Sequence, residues 1–421
     1  MAAPTPAKPR ADLVVRGAAQ VLTCAAAAAD AVGCIAGGVV AVAGETILAV
    51  GSAADVAARV DTGGARIVDA HGGIVLPGFV DSHTHLVFAG SRVAEYSGRL
   101  RGASTEMLRA RGVPIGIRGT ARLLREASDR ELLDQAAERL AHMLACGTTT
   151  VEAKSGYGLS AEQEIRTLAL QAELARSQPV RLVSTLLAAH EFPEDRSRED
   201  YLREITGDII PEVARQGLAE FNDVYCDDGY YTVDESRRVL VAGLEHGLKA
   251  KIHTDAYSHI GGARLAAELR VVSADHLNHA SDDELAALRD AGVVGVVMPA
   301  LDFAVAHARP TPARNMLALG MTVALATDMC PGCWLEAMSF VLQLGCRHYG
   351  FTPEQALRAA TYGGAAALGR QAEIGSLEPG KQADIAIFDL GCHEDLAYRF
   401  GRVRARTVLR AGRVVHEEGR P

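Results

Sequence analysis

The sequence predicts an α/β protein built on a (β/α)8 barrel, with a small β-sandwich domain formed by the two chain ends. Short apolar runs recur about every 20–40 residues through the middle of the chain with helical patterns between them, which is typical of βα units. Eight such runs over roughly 300 residues favour a closed barrel over an open sheet. Both ends of the 421-residue chain instead carry short pieces rich in Val and Ile.

The two chain ends each have too little apolar surface for a core of their own. Their candidate strands are residues 12–22, 39–50 and 65–69 at the start, and 383–388, 407–410 and 414–416 at the end. Because chain termini often lie close together, we expect both ends to pair into one domain. The predicted domains are 1–75 with 375–421 for the β-sandwich, and 76–374 for the catalytic barrel.

Polar side chains mark most of the predicted barrel-strand ends. The eight apolar runs end near Asp81, Lys154, His190, Cys226, His253, Asp275, Met298 and Thr327. Helix starts lie between them, since Ser160 with Gln163, and Ser281 with Glu284, have the spacing of capping boxes. Strands and helices are therefore expected to alternate along the middle of the chain.

The composition excludes several classes of protein. The chain is 48% hydrophobic and 23% charged, which is ordinary for a globular protein and unlike a disordered or fibrous one. Its formal net charge of −9 repels phosphate backbones, so we expect no nucleic-acid partner. The Ala-rich stretch 24–43 is interrupted by Asp30 and by glycines, which favours strand and turn over a membrane span.

The cysteines and the first residues predict a soluble, cytoplasmic protein. Eight cysteines are widely spread in a chain too long to need disulfides, which favours reduced thiols. The first 15 residues carry Pro and charges where a signal peptide would have its apolar stretch.

His83 and His85 give the strongest sign of chemistry. They end the first predicted barrel strand, in the sequence Pro-Gly-Phe-Val-Asp-Ser-His-Thr-His of residues 77–85. Side chains two apart in a strand point to the same side, so both imidazoles can reach one metal ion. Two histidines around a threonine could also line a polar cleft. Their place at the carboxyl end of a barrel strand, where barrel enzymes have their active sites, favours a metal ion.

Three more candidate ligands close other predicted strands: His253, His276 and Asp328. For any one of them, a hydrogen-bonded buried residue would be the simpler interpretation. Several imidazoles and a carboxylate at the same end of different strands instead predict a metal site. Three imidazoles and one carboxylate suit Zn²⁺ or Fe²⁺ and leave a position open for water, so we expect one divalent ion per chain.

Seven stretches along nearly the whole chain resemble the amidohydrolase superfamily. The most specific are His-Thr-His-Leu-Val-Phe-Ala-Gly-Ser-Arg at 83–92 and Glu-Ala-Lys-Ser-Gly-Tyr-Gly at 152–158. The others are residues 188–190, 253–255, 273–277, 326–328 and 375–384. Within the superfamily, the chain is similar to the subgroup that opens imidazolone rings in histidine degradation. The resemblance supports the split β-domain and implies a homodimer. The metal ligands that it implies are His83, His85, His253 and Asp328.

The resemblance also implies a mechanism. The ion would acidify a water molecule and polarise a carbonyl, so that a cyclic amide opens by hydrolysis. His276 would stabilise the developing oxyanion or orient the water, while Asp328 would take the water's proton or serve as a ligand only. Lys154 lies where some binuclear relatives carry a carboxylated lysine. Because its sequence context resembles the mononuclear group, no second ion is predicted.

Arg92, Tyr157 and His190 are the substrate-binding residues that the resemblance implies. The Arg92 guanidinium would bind a substrate carboxylate, for which its planar fork is well suited. Tyr157 and His190 would contact the ring and its polar groups. A solvated loop arginine is the alternative for Arg92, but its place seven residues after His85 favours the active site.

Four positions of the expected pocket depart from the family pattern. Thr105 stands where the family has Tyr, and Cys330 and Cys333 stand where it has Asn and Ser. Ala256 stands where it has Glu or Gln, which leaves Asp255 as the only carboxylate there and as a candidate catalytic residue. A substrate atom that loses its hydrogen-bond partner is left unpaired, so these changes predict intact chemistry on an altered substrate.

Cys330 and Cys333 also form a CxxC motif. This spacing occurs in redox pairs and in zinc sites. The chain has no second CxxC, and the motif follows the eighth strand rather than opening a thioredoxin-like unit. Two thiols that shape the pocket loop are the favoured interpretation, with redox sensitivity as a secondary hypothesis.

The sequence thus predicts a metal-dependent hydrolase that opens a C–N bond in a small, carboxylate-bearing cyclic amide. The most concrete reaction is conversion of 4-imidazolone-5-propanoate to N-formimidoyl-glutamate. Related alternatives are an enzyme acting on a different cyclic amide or hydantoin-like ring, and a heterocycle deaminase, which Ala256 disfavours. A binding protein that has kept the barrel but lost catalysis is the non-enzymatic alternative.

Overall fold

The computed structural model describes residues 7–25, 32–401 and 403–419. Residues 1–6 and 26–31, on which the predictions about a leader and a membrane span partly depend, lie outside the described residues. The described strands, β1 to β18 in chain order, are Leu13–Arg16, Gln20–Leu22, Cys34–Ala36, Val39–Ala43, Thr46–Gly51, Arg66–Asp69, Ile74–Pro77, Phe79–Asp81, Thr148–Lys154, Arg181–Ala189, Phe221–Cys226, Lys249–Thr254, Ser273–His276, Val294–Val297, Val323–Leu325, Ile385–Phe388, Thr407–Arg410 and Arg413–Glu417.

The described helices, α1 to α17 in chain order, are Ala53–Arg59, Val93–Leu100, Thr105–Ala110, Gly116–Glu126, Asp129–Ala145, Ala161–Ser177, Arg198–Glu204, Ile210–Gln216, Val233–Glu245, Gly262–Leu269, Asp282–Ala291, Pro299–Ala304, Ala313–Ala318, Met338–His348, Pro353–Arg358, Gly364–Ala367 and Glu394–Tyr398. Two π-helical segments, Ile205–Ile209 and Ala359–Gly363, join α7 to α8 and α15 to α16. None of the described helices combines the length and the apolarity needed to cross a membrane.

The two chain ends share one sheet. Its strand order is β18-β17-β16-β7-β2-β3, with β16 antiparallel to β7 along its whole length. A second sheet has the order β5-β4-β1-β6. Side chains from both sheets meet in one apolar core, among them Val15, Val42, Val75 and Ile387. The ends therefore form the β-sandwich that the sequence predicts, while its boundaries at 1–75 and 375–421 stay a prediction.

Strands β8 to β15 form an eight-stranded parallel sheet in chain order. A parallel bridge between Thr84, after β8, and Met329, after β15, joins its two edges. The amide of His85 donates to the carbonyl of Met329 at 2.9 Å, and the amide of Asp328 donates to the carbonyl of His83 at 3.1 Å. The predicted (β/α)8 barrel is confirmed, and it closes through the two segments that carry predicted metal ligands.

The barrel strands end within two residues of their predicted ends. Parallel strands that are buried on both faces read as continuous apolar runs, and such runs are visible in the sequence. The predicted capping box of Ser281 and Glu284 starts α11. At Ser160 only half of the predicted box forms, because the side-chain oxygen of Gln163 accepts from Arg166 at 2.9 Å instead.

Four helices, α2 to α5, separate β8 from β9 and cover the segment that follows the first ligands. Arg139 of α5 is buried under that segment, with Nη1 donating to the carbonyls of Leu86 at 2.9 Å and Phe88 at 3.1 Å. Its guanidinium also lies 3.5 Å from the centre of the Phe88 ring. Arg139 therefore fixes the stretch of chain between His85 and Arg92.

Candidate metal centre and substrate pocket

The predicted ligands meet at the carboxyl-terminal end of the barrel. His83 and His85 follow β8, His253 lies in β12, His276 ends β13, and Asp328 follows β15. All five side chains are buried. Residues from four positions around the barrel therefore converge, as their strand ends predict.

Among these five residues, the distances define two overlapping groups of ligand atoms. Those of His83, His85 and His253 lie within 4.8 Å of one another, as do those of His83, His276 and Asp328. Oδ1 of Asp328 lies 3.7 Å from Nε2 of His83 and 3.6 Å from Nε2 of His85. His83 thus belongs to both groups, and His276 lies as close to the cluster as the predicted ligands.

Several of these buried atoms make no hydrogen bond within the described parts of the chain. They are Nε2 of His83, Nδ1 of His85, both ring nitrogens of His253 and Oδ1 of Asp328. A buried polar atom without a partner costs about 1–3 kcal/mol, so this set fits a group that binds one nitrogen of each ring and the carboxylate oxygen at once. A divalent cation with nitrogen and oxygen ligands meets that need.

Electrostatics also fit a cation. Burial, reinforced by neighbouring charges, lowers the pKa of His83, His85 and His253 well below the usual value for histidine. The rings are therefore neutral, which is the form that binds metals. Burial raises the pKa of Asp328 to about 7, so a positive charge beside it would stabilise its ionised form.

Two residues of the cluster have strained backbones. His276 has φ of 77° and Asp328 has φ of 49°, both in the left-handed region that disfavours side chains with a Cβ. Such conformations cost about 1–3 kcal/mol each and persist where the surroundings hold them. The carbonyl of His276 accepts from Oγ1 of Thr311 at 2.9 Å, and the Asp328 amide binds His83 across the barrel closure. The fold therefore stabilises the backbone conformations that place the side chains of His276 and Asp328 in the cluster.

Carboxylates behind the ligands were not found from the sequence. Oδ2 of Asp275 lies 2.6 Å from Nδ1 of His83, which leaves Nε2 of that ring free for the metal site. Oδ2 of Asp223 lies 3.0 Å from Nδ1 of His253, outside hydrogen-bonding geometry. The available signal was the presence of charged residues within otherwise apolar barrel strands.

Arg92 directs two free nitrogens toward the pocket loop. Its Nε donates to Oε2 of the buried Glu95 at 2.7 Å, while Nη1 and Nη2 have no hydrogen-bond partner among the described residues. A Cβ at Gly332, in the loop after β15, would lie 3.2 Å from Nη1. The fork is thus held from behind, with its terminal nitrogens beside the loop of Cys330 and Cys333.

Tyr157 and His190, the predicted substrate-binding residues, lie beside the predicted metal ligand His85. The His190 ring stacks on that of His85 with centroids 4.9 Å apart, and the Tyr157 ring lies 5.4 Å from His190. Nδ1 of His190 donates to the carbonyl of Gly156 at 3.1 Å, which leaves Nε2 as an acceptor. Burial lowers the pKa of His190 to about 4 and raises that of Tyr157, so both groups are neutral.

Asp255 makes four hydrogen bonds with the chain around the start of α10. Oδ1 accepts from the amides of Ile260 at 3.0 Å and Gly261 at 3.1 Å, while Oδ2 accepts from the Ala263 amide at 2.9 Å and from Oγ1 of Thr254 at 3.1 Å. These four bonds use the acceptor sites of a carboxylate. Asp255 therefore holds the loop that leads into α10, and its catalytic role stays a prediction.

The four departing positions differ in their placement. Ala256 is buried, and its amide donates to Asp227 at 2.8 Å. Cys330 and Cys333 exchange two backbone hydrogen bonds of 3.1 Å in a tight turn and are free thiols. Burial raises the pKa of Cys330 to about 12, which disfavours a reactive thiolate. Thr105 starts α3, and its Oγ1 lies 3.5 Å from Arg99, so no contact brings it to the cluster.

Comparison with known proteins agrees with this geometry. Residues 236–415 and 66–113 match amidohydrolase family descriptions. The chain is 45% identical over 391 residues to an imidazolonepropionase from Symbiobacterium thermophilum, covering 92% of each chain. It is 42% identical over 415 residues to one from Anaeromyxobacter dehalogenans, covering 97% of each. The chain belongs to the imidazolonepropionase family of amidohydrolases.

Solved structures show the same fold at lower identity. An adenosine deaminase from Xanthomonas campestris with bound zinc has a TM-score of 0.71 at 22% identity, covering 97% of this chain and 93% of that one. An ochratoxinase from A. niger has a TM-score of 0.70 at 16% identity, covering 97% of this chain and 96% of that one. Members of the imidazolonepropionase family are metal-dependent hydrolases that act on cyclic-amide C–N bonds, and so is this chain.

Proposed function

We propose that this chain hydrolyses 4-imidazolone-5-propanoate to N-formimidoyl-glutamate at the cluster of His83, His85, His253 and Asp328. The observation that carries the proposal is the convergence of unpartnered ligand atoms at one end of the barrel, together with a guanidinium whose two free nitrogens lie beside the loop after β15. The identity of 41–46% to imidazolonepropionases over most of the chain supports the substrate.

The three imidazoles and the carboxylate would hold one Zn²⁺ or Fe²⁺ ion. When bound, such an ion lowers the pKa of a water molecule to about 7 and polarises a carbonyl. Asp328 would ligate through one oxygen and take the water's proton on the other. The proton would then pass to the ring nitrogen that leaves when the C–N bond breaks.

His276 would stabilise the carbonyl oxygen as negative charge develops on it. Its ring lies 5.3 Å from that of His253, and its ligand atom lies within 4.8 Å of those of His83 and Asp328. Burial lowers the pKa of His276, so the ring offers one N–H donor as a neutral imidazole. A donor fixed beforehand in a buried site is worth more than the same donor in water.

Arg92 would bind the propanoate carboxylate through Nη1 and Nη2, while its Nε donates to Glu95. The neutral His190 would accept from a ring N–H at Nε2, because its Nδ1 proton is used on Gly156. The neutral hydroxyl of Tyr157 would supply a donor at the same side of the ring. Together these side chains would orient the substrate carbonyl toward the metal centre.

The test is a steady-state assay of 4-imidazolone-5-propanoate with metal-loaded protein, with N-formimidoyl-glutamate identified as the product. A His253→Asn variant should lose turnover, whereas His246→Asn should keep it, since the His246 side chain bonds to the Ala242 carbonyl at the end of α9. Absence of turnover by well-folded protein at full metal loading would overturn the proposal.

A second candidate is hydrolysis of a different ring in the same site. Ala256, Cys330 and Cys333 favour it, because none offers the strong side-chain hydrogen bonds that the family residues would make. Hydantoins, lactams and cyclic ureas that carry a carboxylate should be assayed beside the imidazolone. Faster turnover of one of these would favour the second candidate, and ammonia release without ring opening would indicate a deaminase.

The proposal includes a setting: a homodimer in the cytoplasm that acts in histidine degradation. The wide spread of eight cysteines along a chain too long to need disulfides supports a reducing compartment. Sedimentation equilibrium would test the dimer, and metal analysis of protein isolated from its native host would distinguish Zn²⁺ from Fe²⁺.

A further inference from the structure

Five buried charged residues form a network beneath the metal centre. They are Glu152, Lys154, Asp223, Lys251 and Asp275, and each side chain is fully buried. Their strands, β9, β11, β12 and β13, also lead to the predicted site. Burying charges is costly unless they are paired, so the placement of these groups calls for a physical reason.

Lys154 lies at the centre of the network. Its Nζ is 2.7 Å from Oδ2 of Asp223, 3.1 Å from Oε1 of Glu152 and 3.6 Å from Oδ2 of Asp275. Burial alone would lower the pKa of Lys154, but the three carboxylates outweigh burial and raise it. The side chain is therefore an ammonium. A carboxylated lysine here would place a further negative charge against three carboxylates, which disfavours a second metal ion.

The same two oxygens that face Lys154 also face the ligand histidines. Oδ2 of Asp275 lies 2.6 Å from Nδ1 of His83. Oδ2 of Asp223 lies 3.0 Å from Nδ1 of His253. One ammonium thus contacts both carboxylates that stand behind two metal-binding rings.

We propose that Lys154 is a positioning residue of the metal centre, whose ammonium holds Asp223 and Asp275 against Nδ1 of His253 and His83. Carboxylates behind ligand histidines fix the ring orientation and the tautomer, and their loss typically weakens metal binding 10- to 100-fold. Two carboxylates that share a buried site repel each other, and the ammonium between them removes that repulsion. Lys154 would therefore orient the His83 ring through the hydrogen bond of Asp275, and keep the Asp223 carboxylate beside the His253 ring, without touching the ion.

Lys251 provides a matched control. It is equally buried and carries the same charge, but its Nζ contacts Oε2 of Glu152 at 2.8 Å and the carbonyl of Ser82 at 3.1 Å. It makes no ion pair with Asp223 or Asp275 in the described residues. Its charge also acts on Asp275 from a distance, but its removal leaves the hydrogen bonds and ion pairs of Asp223 and Asp275 in place. We therefore expect Lys251→Met to disturb the fold as much as Lys154→Met, and to affect these two carboxylates less.

The experiment compares Lys154→Met and Lys251→Met as full-length apo proteins. Zn²⁺ affinity is measured by competition with a chelator, and thermal unfolding of each apo protein reports the fold. Both variants should unfold at similarly reduced temperatures, but Lys154→Met should bind Zn²⁺ about 10- to 100-fold more weakly, and Lys251→Met at most about threefold more weakly. Equal losses of affinity in the two variants, or none in Lys154→Met, would overturn the proposal.

Co²⁺ spectra give a second readout that a purely structural role would not change. The visible spectrum of Co²⁺-loaded Lys154→Met should differ from that of the unaltered protein, whereas that of Lys251→Met should not. If Lys154→Met does not fold, Asp275→Asn serves instead: weaker Zn²⁺ binding supports the proposal and unchanged binding refutes it. The inference rests on the metal-dependent chemistry proposed above, but these measurements use no substrate. The proposal for Lys154 can therefore fail while the proposed reaction stands, and the proposed reaction can fail while the proposal for Lys154 stands.

Discussion

Replacement of Arg92 by lysine tests whether the Arg92 guanidinium binds the substrate carboxylate. The substitution keeps the positive charge but removes the planar fork. Because Oε2 of Glu95 lies 2.7 Å from Nε of Arg92, the shorter ammonium would be drawn to that carboxylate. The substrate carboxylate would then lose at least one charged hydrogen bond, worth about 1.5–3 kcal/mol. A loss of that size lowers kcat/KM about 10- to 150-fold.

The assay compares 4-imidazolone-5-propanoate with its propanamide analogue. Arg92→Lys should lower kcat/KM for the propanoate and leave that for the propanamide nearly unchanged, since only the propanoate has a carboxylate to lose. Arg99→Lys is the matched control, because Arg99 also binds Glu95, through Nε at 3.0 Å, and is half-exposed on the same helix. Equal losses on both substrates, or an equal effect of Arg99→Lys, would refute the role of Arg92.

Three further changes test the framework around the site. Arg139→Met should lower the free energy of unfolding by about 2–4 kcal/mol in denaturant titrations, because the Leu86 and Phe88 carbonyls lose their donors. A loss of stability no larger than that caused by Arg130→Met, an exposed control, would contradict this expectation. Asp384→Asn should lower the free energy of unfolding by about 1–3 kcal/mol and preserve turnover, because the Asp384 carboxylate joins the β-sandwich to Arg181 of β10 at 2.6 Å. Unchanged stability would show that this link is dispensable. Thiol labelling at pH 8 should leave Cys330 unmodified until the protein unfolds, since burial raises its pKa to about 12. Rapid labelling of Cys330 in the folded protein would revive the redox hypothesis.

The sequence predicts those parts of the fold that depend on local pattern. Buried strands are visible as apolar runs, and the polar residues that end them mark one face of the barrel. His83, His85, His253, His276 and Asp328 were found in this way, because parallel strands in a barrel bring their carboxyl ends together. The pairing of the two chain ends was predicted from their lack of a core and is present as β16 against β7.

The remaining features depend on distances that no local pattern gives. Asp255 follows a ligand in the sequence and is therefore predicted to be catalytic, but only the fold shows that its carboxylate accepts from the amides around the start of α10. Asp275 lies 192 residues from His83 in sequence, and Asp223 reaches His253 from the neighbouring strand β11, so only the folded barrel shows both contacts. Glu95 was missed for a different reason, since an acid three residues after an arginine on a helix is usually a surface ion pair. Burial alone distinguishes Glu95 from that ordinary case.

An anomalous-scattering map of the metal-loaded crystalline protein would test the central claim most directly. We expect one peak per chain from the divalent ion, about 2.0–2.2 Å from nitrogen atoms of His83, His85 and His253 and from an oxygen of Asp328. Removal of that ion by a chelator should abolish hydrolysis of the imidazolone, and its return should restore it. A peak at another place, or full turnover by protein with no ion at these four side chains, would contradict the account.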